Sequence, residues 1–144
     1  MTLQESFYLM AAKEGISVFE MELEEGLPNH HCIRLVGECG MFEGHAIFLE
    51  EEKLLVFYIL GGLIVPEDLC EKAAWEFMKM NYGLKMGQWF IDPDSRVITL
   101  RTCQYLLQEE GLAERMHTIV ADCGKLMDES FLSISKMITD METE

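Results

Sequence analysis

The stretch that decides the fold is Asn81-Tyr82-Gly83-Leu84-Lys85-Met86-Gly87-Gln88-Trp89-Phe90-Ile91-Asp92, followed by Arg96-Val97-Ile98-Thr99-Leu100-Arg101-Thr102. Asn81 and Gly83 predict the end of a helix, because both residue types tolerate the left-handed backbone of a C-terminal cap. The apolar run 89–91 predicts a strand. Asp92-Pro93-Asp94-Ser95 then predicts a type I turn into a second strand. The stretch indicates a topology and contains no recognisable active site.

Upstream, three apolar segments predict strands at residues 32–38, 45–49 and 54–60. The connections between them are short, 40–44 and 50–53, which indicates antiparallel pairing because a parallel crossover needs a dozen residues or more. Gly61-Gly62 is expected to end the last of these strands, and Pro66 to start a helix.

An additional strand is predicted at residues 19–23, where apolar and acidic residues alternate with a period of two. In this strand the carboxylates would line the outer face of the sheet and guard its edge against uncontrolled pairing.

Three helices complete the pattern. The first fourteen residues place apolar side chains at helical spacing and end at Gly15. The helix after Pro66 has one apolar stripe, and the segment from Leu112 to the end predicts a long helix of up to ~45 Å with Gly124 inside it. The order helix, three or four strands, helix, two strands, helix describes one α+β domain over residues 1–144, with an antiparallel sheet covered on one face by helices.

Composition limits the function classes. The chain has 144 residues and a net charge of −15, so nucleic acid and anionic membrane surfaces are poor partners, whereas basic protein segments would be attracted. The alternative reading is that the charge only keeps the protein soluble. The longest apolar run, 54–66, is too short to cross a bilayer.

Cysteine usage indicates a reducing compartment. Five cysteines at irregular spacing, without a Cys-x-x-Cys pair, do not suggest a secreted disulfide framework. No basic residue precedes Lys13, which argues against a secretory signal. We therefore expect a cytoplasmic protein with reduced thiols.

A set of short motifs, in this order and spacing, resembles the YbjN family, whose fold is similar to that of type III secretion chaperones. The motifs span most of the chain, roughly residues 32–138, and include Leu54-Leu55-Val56-Phe57-Tyr58, Val65-Pro66-Glu67, Asn81-Tyr82-Gly83-Leu84, Gly87, Phe90, Asp92, Val97, Arg101-Thr102 and Met127-Asp128. The chain departs from the family where the last helix opens with Gly111-Leu112-Ala113-Glu114 instead of a Ser/Thr-type cap. Residues 19–31 also have little counterpart.

The resemblance implies a regulator. Members of the family are described as candidate sensory transduction regulators, and the similar chaperones are small, acidic dimers that hold an extended segment of a partner. By this analogy the chain would be a homodimer built through its middle helix and the adjoining strand. A dedicated secretion-type chaperone for one effector is the alternative function.

Three sets of residues could in principle bind a metal or carry out catalysis. His30, His31, Cys32 and Cys39, with His45 nearby, carry donors that zinc prefers. However, neighbouring residues of a strand point to opposite faces, so exposed strand-end histidines and small buried cysteines are the favoured interpretation. A metal-binding module at residues 30–39 is a further alternative.

The other two candidates are paired carboxylates and a nucleophile with a base. Asp92 and Asp94 lie in a predicted turn, where solvent keeps carboxylates ionised. Cys103 and His117 would have to meet in space, and nothing local activates the thiol. We therefore expect neither an enzyme nor a cofactor.

Protein binding is the expected function. The eleven methionines suit a groove that repacks against varied apolar partners, although a methionine stripe is more often core. Aromatic residues off the main helical stripe would mark an interface if they were exposed. The predicted contact residues for a protein or peptide segment, possibly basic, are Trp75, Phe77, Met78, Tyr82 and Met86.

Overall fold

The computed structural model describes residues 1–20 and 30–144, and these residues form three helices and six strands. In chain order the elements are α1 (Leu3–Glu14), β1 (Val18–Glu20), β2 (His30–Gly37), β3 (Gly40–Leu49), β4 (Leu54–Ile64), a 3-10 turn (Glu67–Leu69), α2 (Cys70–Tyr82), β5 (Gln88–Ile91), β6 (Val97–Tyr105) and α3 (Leu112–Glu142). The predicted α+β class and its element order are confirmed.

Among the described residues, the strands form one antiparallel sheet in the order β1-β2-β3-β4-β6-β5. The three described helices all pack on the same face, as predicted. Phe7 of α1 contacts Phe48, Phe131 of α3 contacts Phe42, and α2 stacks a ring on β5. We call the other face, which carries none of the described helices, the open face.

The core lies between the sheet and the three helices. Its fully buried side chains come from every layer, and the largest are Trp89, Phe7, Phe57, Phe77, Met10, Ile33, Leu55, Ile59, Ile98, Leu100, Met116 and Met127. Burial of this size is the dominant favourable term in folding, at ~25 cal/mol per Å² of apolar surface.

The helix α1 ends where predicted, and its start has a cap that was not predicted. Thr2 Oγ1 accepts from the backbone N–H of Glu5, whose carboxylate accepts from Thr2 N–H, each at 3.0 Å, which is a capping box. Gly15 follows with φ +69°, the left-handed cap that ends many helices.

The turn between β2 and β3 was placed wrongly from the sequence. Residues 40–44 were expected to be the connection, but β3 begins at Gly40 and the turn lies at residues 38–39. Gly44 is a packing residue, because a Cβ there would lie 3.1 Å from side-chain atoms of Ile33 and Phe57. The glycine leaves room for the side chains of Ile33 and Phe57 on the two neighbouring strands and does not reverse the chain.

Two further expected ends are also corrected. β4 continues through Gly61-Gly62 to Ile64, with a register irregularity after Leu60 and a φ of +73° at Gly62. The glycines therefore mark a bulge, for which a positive φ is suitable. At the end of α2, Gly83 has φ −93° and Asn81 is still helical, so the left-handed cap predicted there is not formed.

β1 contains the described part of the strand predicted at 19–23. Residues 21–23 lie outside the described residues. Phe19 is on the open face and 47% exposed, whereas Glu20 pairs with the buried His31. Glu20 is exposed, as expected of the carboxylates, but Phe19 is not buried as the alternation predicted.

The last helix is unbroken for 31 residues, through Gly124, which confirms the predicted long helix. Gly111 precedes it with φ +70° and no side-chain cap, as the sequence indicated. Among the described residues, no helix combines the length and the apolar character that crossing a bilayer requires.

Candidate functional site

The outer face of α2 carries large apolar side chains. Trp75, Met78 and Tyr82 are 59%, 53% and 96% exposed, and their spacing of three and four residues puts them on one side of the helix. We call these three residues the α2 stripe. Single exposed apolar residues are common on protein surfaces, whereas aromatic and methionine side chains aligned on one side of a helix are less common. The stripe is therefore a candidate contact surface.

The other two predicted contact residues have different environments. Phe77 is 1% exposed and stacks on Trp89 with ring centroids 6.3 Å apart, so its assignment to a contact surface is wrong because it belongs to the core. Met86 is half-buried and packs against the core after the helix ends. Partner binding by Trp75, Met78, Tyr82 and Met86 stays a prediction.

An interaction not predicted from the sequence holds α2 on the sheet. The side-chain amide of Asn81 donates from Nδ2 to the carbonyl of Trp89 at 2.8 Å, and its Oδ1 accepts from the Trp89 N–H at 2.7 Å. β5 is an edge strand, and these two groups point away from β6. The amide of Asn81 therefore pairs with the strand edge and fixes the position of the α2 stripe.

An acidic cavity borders the stripe. It has a volume of about 560 Å³ and lies between the first turns of α2 and the turn that joins β5 to β6. Four carboxylates line it, together with one guanidinium: Glu67, Glu71, Asp92, Asp94 and Arg96. The cavity is next to Trp75, because Glu71 and Trp75 are one helical turn apart.

Asp92 is a structural carboxylate of this turn. Its Oδ1 accepts from the N–H groups of Asp94 and Ser95, at 2.9 and 3.0 Å, and these hydrogen bonds lower the pKa of Asp92. A lowered pKa keeps the group ionised, as expected of the predicted turn, and contributes to the negative charge of the cavity.

The second candidate is a group of ionisable side chains on the open face. Cys32 of β2 lies opposite His45 of β3 in the register, and Glu43 precedes His45 by two residues on the same face. Their ligand atoms all lie within 4.8 Å of one another. We call these three residues the open-face cluster.

Two residues support the cluster from the side. Nε2 of His30 lies 2.6 Å from Nδ1 of His45 and 3.3 Å from the hydroxyl of Tyr58. The Tyr58 ring is parallel to the His45 ring, with centroids 4.8 Å apart. The orientation of the His45 imidazole is thus fixed by a hydrogen bond at one edge and by stacking on one face.

Burial controls the protonation of these groups. Desolvation lowers the pKa of His45 and also of His30, where the neighbouring His45 adds to the effect. Desolvation followed by the nearby Glu43 carboxylate raises the pKa of the Cys32 thiol to about 11. At neutral pH both imidazoles are therefore uncharged, and Cys32 is a thiol.

The metal set considered from the sequence is only partly brought together. His31 points to the helix-covered face, where its Nδ1 lies 2.8 Å from the Tyr8 hydroxyl. Cys39 lies at the β2–β3 turn, beside Asp128. His31 and His45 are 0% and 4% exposed, so the expectation of exposed strand-end histidines is wrong for both.

Glu43 was missed in the sequence, although its spacing from His45 could have found it. The proposed partners Cys103 and His117 are not brought together: Cys103 lies on the open face, opposite Val56, whereas α3, which contains His117, packs on the other face. His117 instead approaches Glu14, at 3.5 Å.

Comparison with solved structures identifies the fold. No protein-family model matches the chain, and no curated protein sequence does either. The crystal structure of YbjN from E. coli, described there as a candidate transcription regulator, matches with a TM-score of 0.63 and 16% identity, over 92% of this chain and 91% of that one. At this identity the similarity shows the fold alone, and the fold is the YbjN-like one that the sequence motifs predicted.

Proposed function

We propose that this chain is a non-enzymatic regulator or adaptor that binds a segment of another protein on the outer face of α2. The α2 stripe is the observation that carries the proposal. Tryptophan and tyrosine are enriched among the residues that dominate binding energies, and methionine adapts its shape to the partner. These three side chains are held on a helix that Asn81 ties to the sheet edge.

The size of the stripe indicates the size of the partner. A buried aromatic side chain contributes roughly 150–250 Å², so the stripe offers on the order of 400 Å² of apolar contact. This is about half of the ~800 Å² that each partner contributes to a standard protein–protein interface. A single helix or extended segment therefore fits the stripe better than a whole domain.

Charge indicates the chemistry of the partner. The cavity beside the stripe has four carboxylates and one guanidinium, and the whole chain has a net charge of −15. A segment with apolar residues next to lysines or arginines would fill both surfaces, because the apolar side chains would cover the stripe and the basic ones would enter the cavity.

The rest of the proposal has separate support. The carboxylate pair considered for catalysis is held in a turn. The thiol and the imidazole considered for catalysis lie on opposite faces of the sheet. Both placements support a binding function. All five cysteines lie among the described residues and have free thiols, which supports the cytoplasm as the compartment.

Site-specific photo-crosslinking in the native cell tests the proposal. A photoreactive phenylalanine analogue at position 82 replaces a side chain that is 96% exposed, and the same analogue at position 132 on α3, where Leu132 is 67% exposed, is the control. We expect a protein partner at position 82 and not at position 132. The crosslinked peptide should contain basic residues beside apolar ones.

Two double variants make the test specific. W75A/M78A should lower the crosslinking yield at position 82 at least tenfold, whereas V36A/M41A, which removes two exposed apolar residues elsewhere, should leave it unchanged. Equal capture at positions 82 and 132, or none at 82, would contradict the proposal. Capture of a second copy of this chain at position 82 would replace it with the homodimer, and an exported effector as the partner would favour the secretion chaperone.

A further inference from the structure

We propose that Cys32, Glu43 and His45 form a binding site for a transition-metal dication such as zinc. The site is on the open face of the sheet, away from the α2 stripe, and is independent of the proposed partner binding. Three different types of ligand atom, a thiol sulfur, a carboxylate oxygen and an imidazole nitrogen, lie within 4.8 Å of one another.

A buried nitrogen of His45 has no hydrogen-bond partner among the described residues. His45 is 4% exposed, and the nitrogen without a partner is its Nε2. Oε1 of Glu43 is 2.7 Å from this nitrogen, but the two atoms do not form a hydrogen bond. A buried polar atom without a partner costs ~1–3 kcal/mol, and a cation bound between the nitrogen and the carboxylate would remove that cost.

The hydrogen bond at the other edge of the ring suits metal binding. When Nδ1–H of His45 donates to Nε2 of His30, 2.6 Å away, the lone pair of His45 is at Nε2, on the side of Cys32 and Glu43. A metal-bound histidine usually donates its second N–H to such a partner, which fixes the tautomer and the orientation of the ring.

The ligand types indicate which metals fit. A thiolate with an imidazole and a carboxylate suits zinc and its neighbours, and it disfavours magnesium and calcium, which prefer oxygen ligands. Binding would displace the proton of the Cys32 thiol, since the thiolate is the ligand. Three protein ligands leave a fourth position for water or another molecule.

Only a small rearrangement is needed. Ligand atoms around tetrahedral zinc are ~3.4–3.6 Å apart for bonds of the usual length, so Nε2 of His45 and Oε1 of Glu43 must separate from 2.7 Å. The Glu43 side chain is 52% exposed, so solvent leaves room for it to move outward. A cavity of about 400 Å³, lined in part by Cys32, Arg34 and Glu43, gives access from solvent.

Cobalt titration of the purified, tag-free and metal-stripped 144-residue chain tests this site. Co²⁺ bound to a thiolate has a charge-transfer absorption, and its visible bands report tetrahedral geometry. We expect one Co²⁺ per chain with both signals, and stoichiometric displacement by Zn²⁺. C32S should abolish the charge-transfer band, and E43Q and H45Q should each weaken binding at least tenfold.

Matched variants make the result decisive. C103S removes an exposed thiol on the same face and should change nothing. H30Q should weaken binding by roughly 10- to 100-fold, as expected for an outer-shell partner. Circular dichroism of each metal-free variant checks folding, and Glu43 is exposed enough for E43Q to fold if a buried variant fails. A missing charge-transfer band, or binding equal in the parent chain, E43Q and C32S, would overturn the proposal.

Discussion

Replacing Asn81 by alanine tests the bond that positions the α2 stripe. The change removes two hydrogen bonds to the backbone of Trp89, of 2.8 and 2.7 Å. At a net ~1 kcal/mol each they are worth about 2 kcal/mol together, and the higher helix propensity of alanine returns ~0.6 kcal/mol. We therefore expect the free energy of unfolding to fall by about 1.5 kcal/mol, and Tm by about 3–6 °C for a chain of this size.

The neighbouring residue is the matched control. Tyr82 is 96% exposed, and tyrosine and asparagine have similar helix propensities, so Y82A makes the same backbone change without losing a hydrogen bond. Y82A should keep the parent stability or exceed it slightly. Urea unfolding of both variants, with hydrogen exchange at the Trp89 amide, gives the comparison.

An aspartate at position 81 sharpens the test. N81D keeps the acceptor for the Trp89 N–H but turns a second oxygen toward the Trp89 carbonyl, so at neutral pH it should destabilise more than N81A. Protonation of the new carboxyl restores a donor, so the difference in stability between N81D and N81A should narrow as the pH falls below ~4. Equal stability of N81A and Y82A, together with unchanged exchange at Trp89, would refute the reasoning.

Three other changes test the core and the β2–β3 turn. M127A removes a side chain that is 1% exposed and should lower the free energy of unfolding by ~2–5 kcal/mol. L132A, at an exposed position of the same helix, should change it by no more than ~0.5 kcal/mol. Urea unfolding measures both changes. The pKa of Asp128 is lowered by the N–H groups of Cys39 and Glu38, so its stabilising effect is present above the unfolded carboxyl pKa of ~3.9 and lost as pH falls through the lower folded value. Urea midpoints of the parent and D128N should therefore differ at pH 6 and converge as the pH falls through the lowered folded pKa of Asp128, and a constant difference would contradict this. A Cβ at Gly37 would overlap the Asp128 carboxylate, so G37A should destabilise the parent chain and do much less harm in a D128A background.

The fold was largely predictable because its signals are local. Periodic apolar residues and the Asp92-Pro93-Asp94-Ser95 turn predicted the element order that the structure has. The β2–β3 turn was misplaced for a reason that is not local. Its N–H groups bind Asp128 from the last helix, and Gly44, which looked like a turn residue, makes room for Phe57.

The candidate sites were predictable to different degrees. The α2 stripe follows from helical spacing, but the spacing did not separate Phe77, which faces the sheet, from its exposed neighbours. The open-face cluster depends on the register of β2 with β3, so it could not be assembled while the turn between them was misplaced. Asn81 was recognised as the end of a helix, but its pairing with a strand eight residues later needs the tertiary packing.

The contact between Asn81 and Trp89 also affects how this protein meets other sheets. An edge strand normally offers free N–H and C=O groups that a foreign strand can extend. Here a side-chain amide occupies both groups of Trp89, like a strand one residue long. Any chain that added to the sheet at β5 would first have to displace this amide, so the edge next to the α2 stripe is protected from uncontrolled polymerisation.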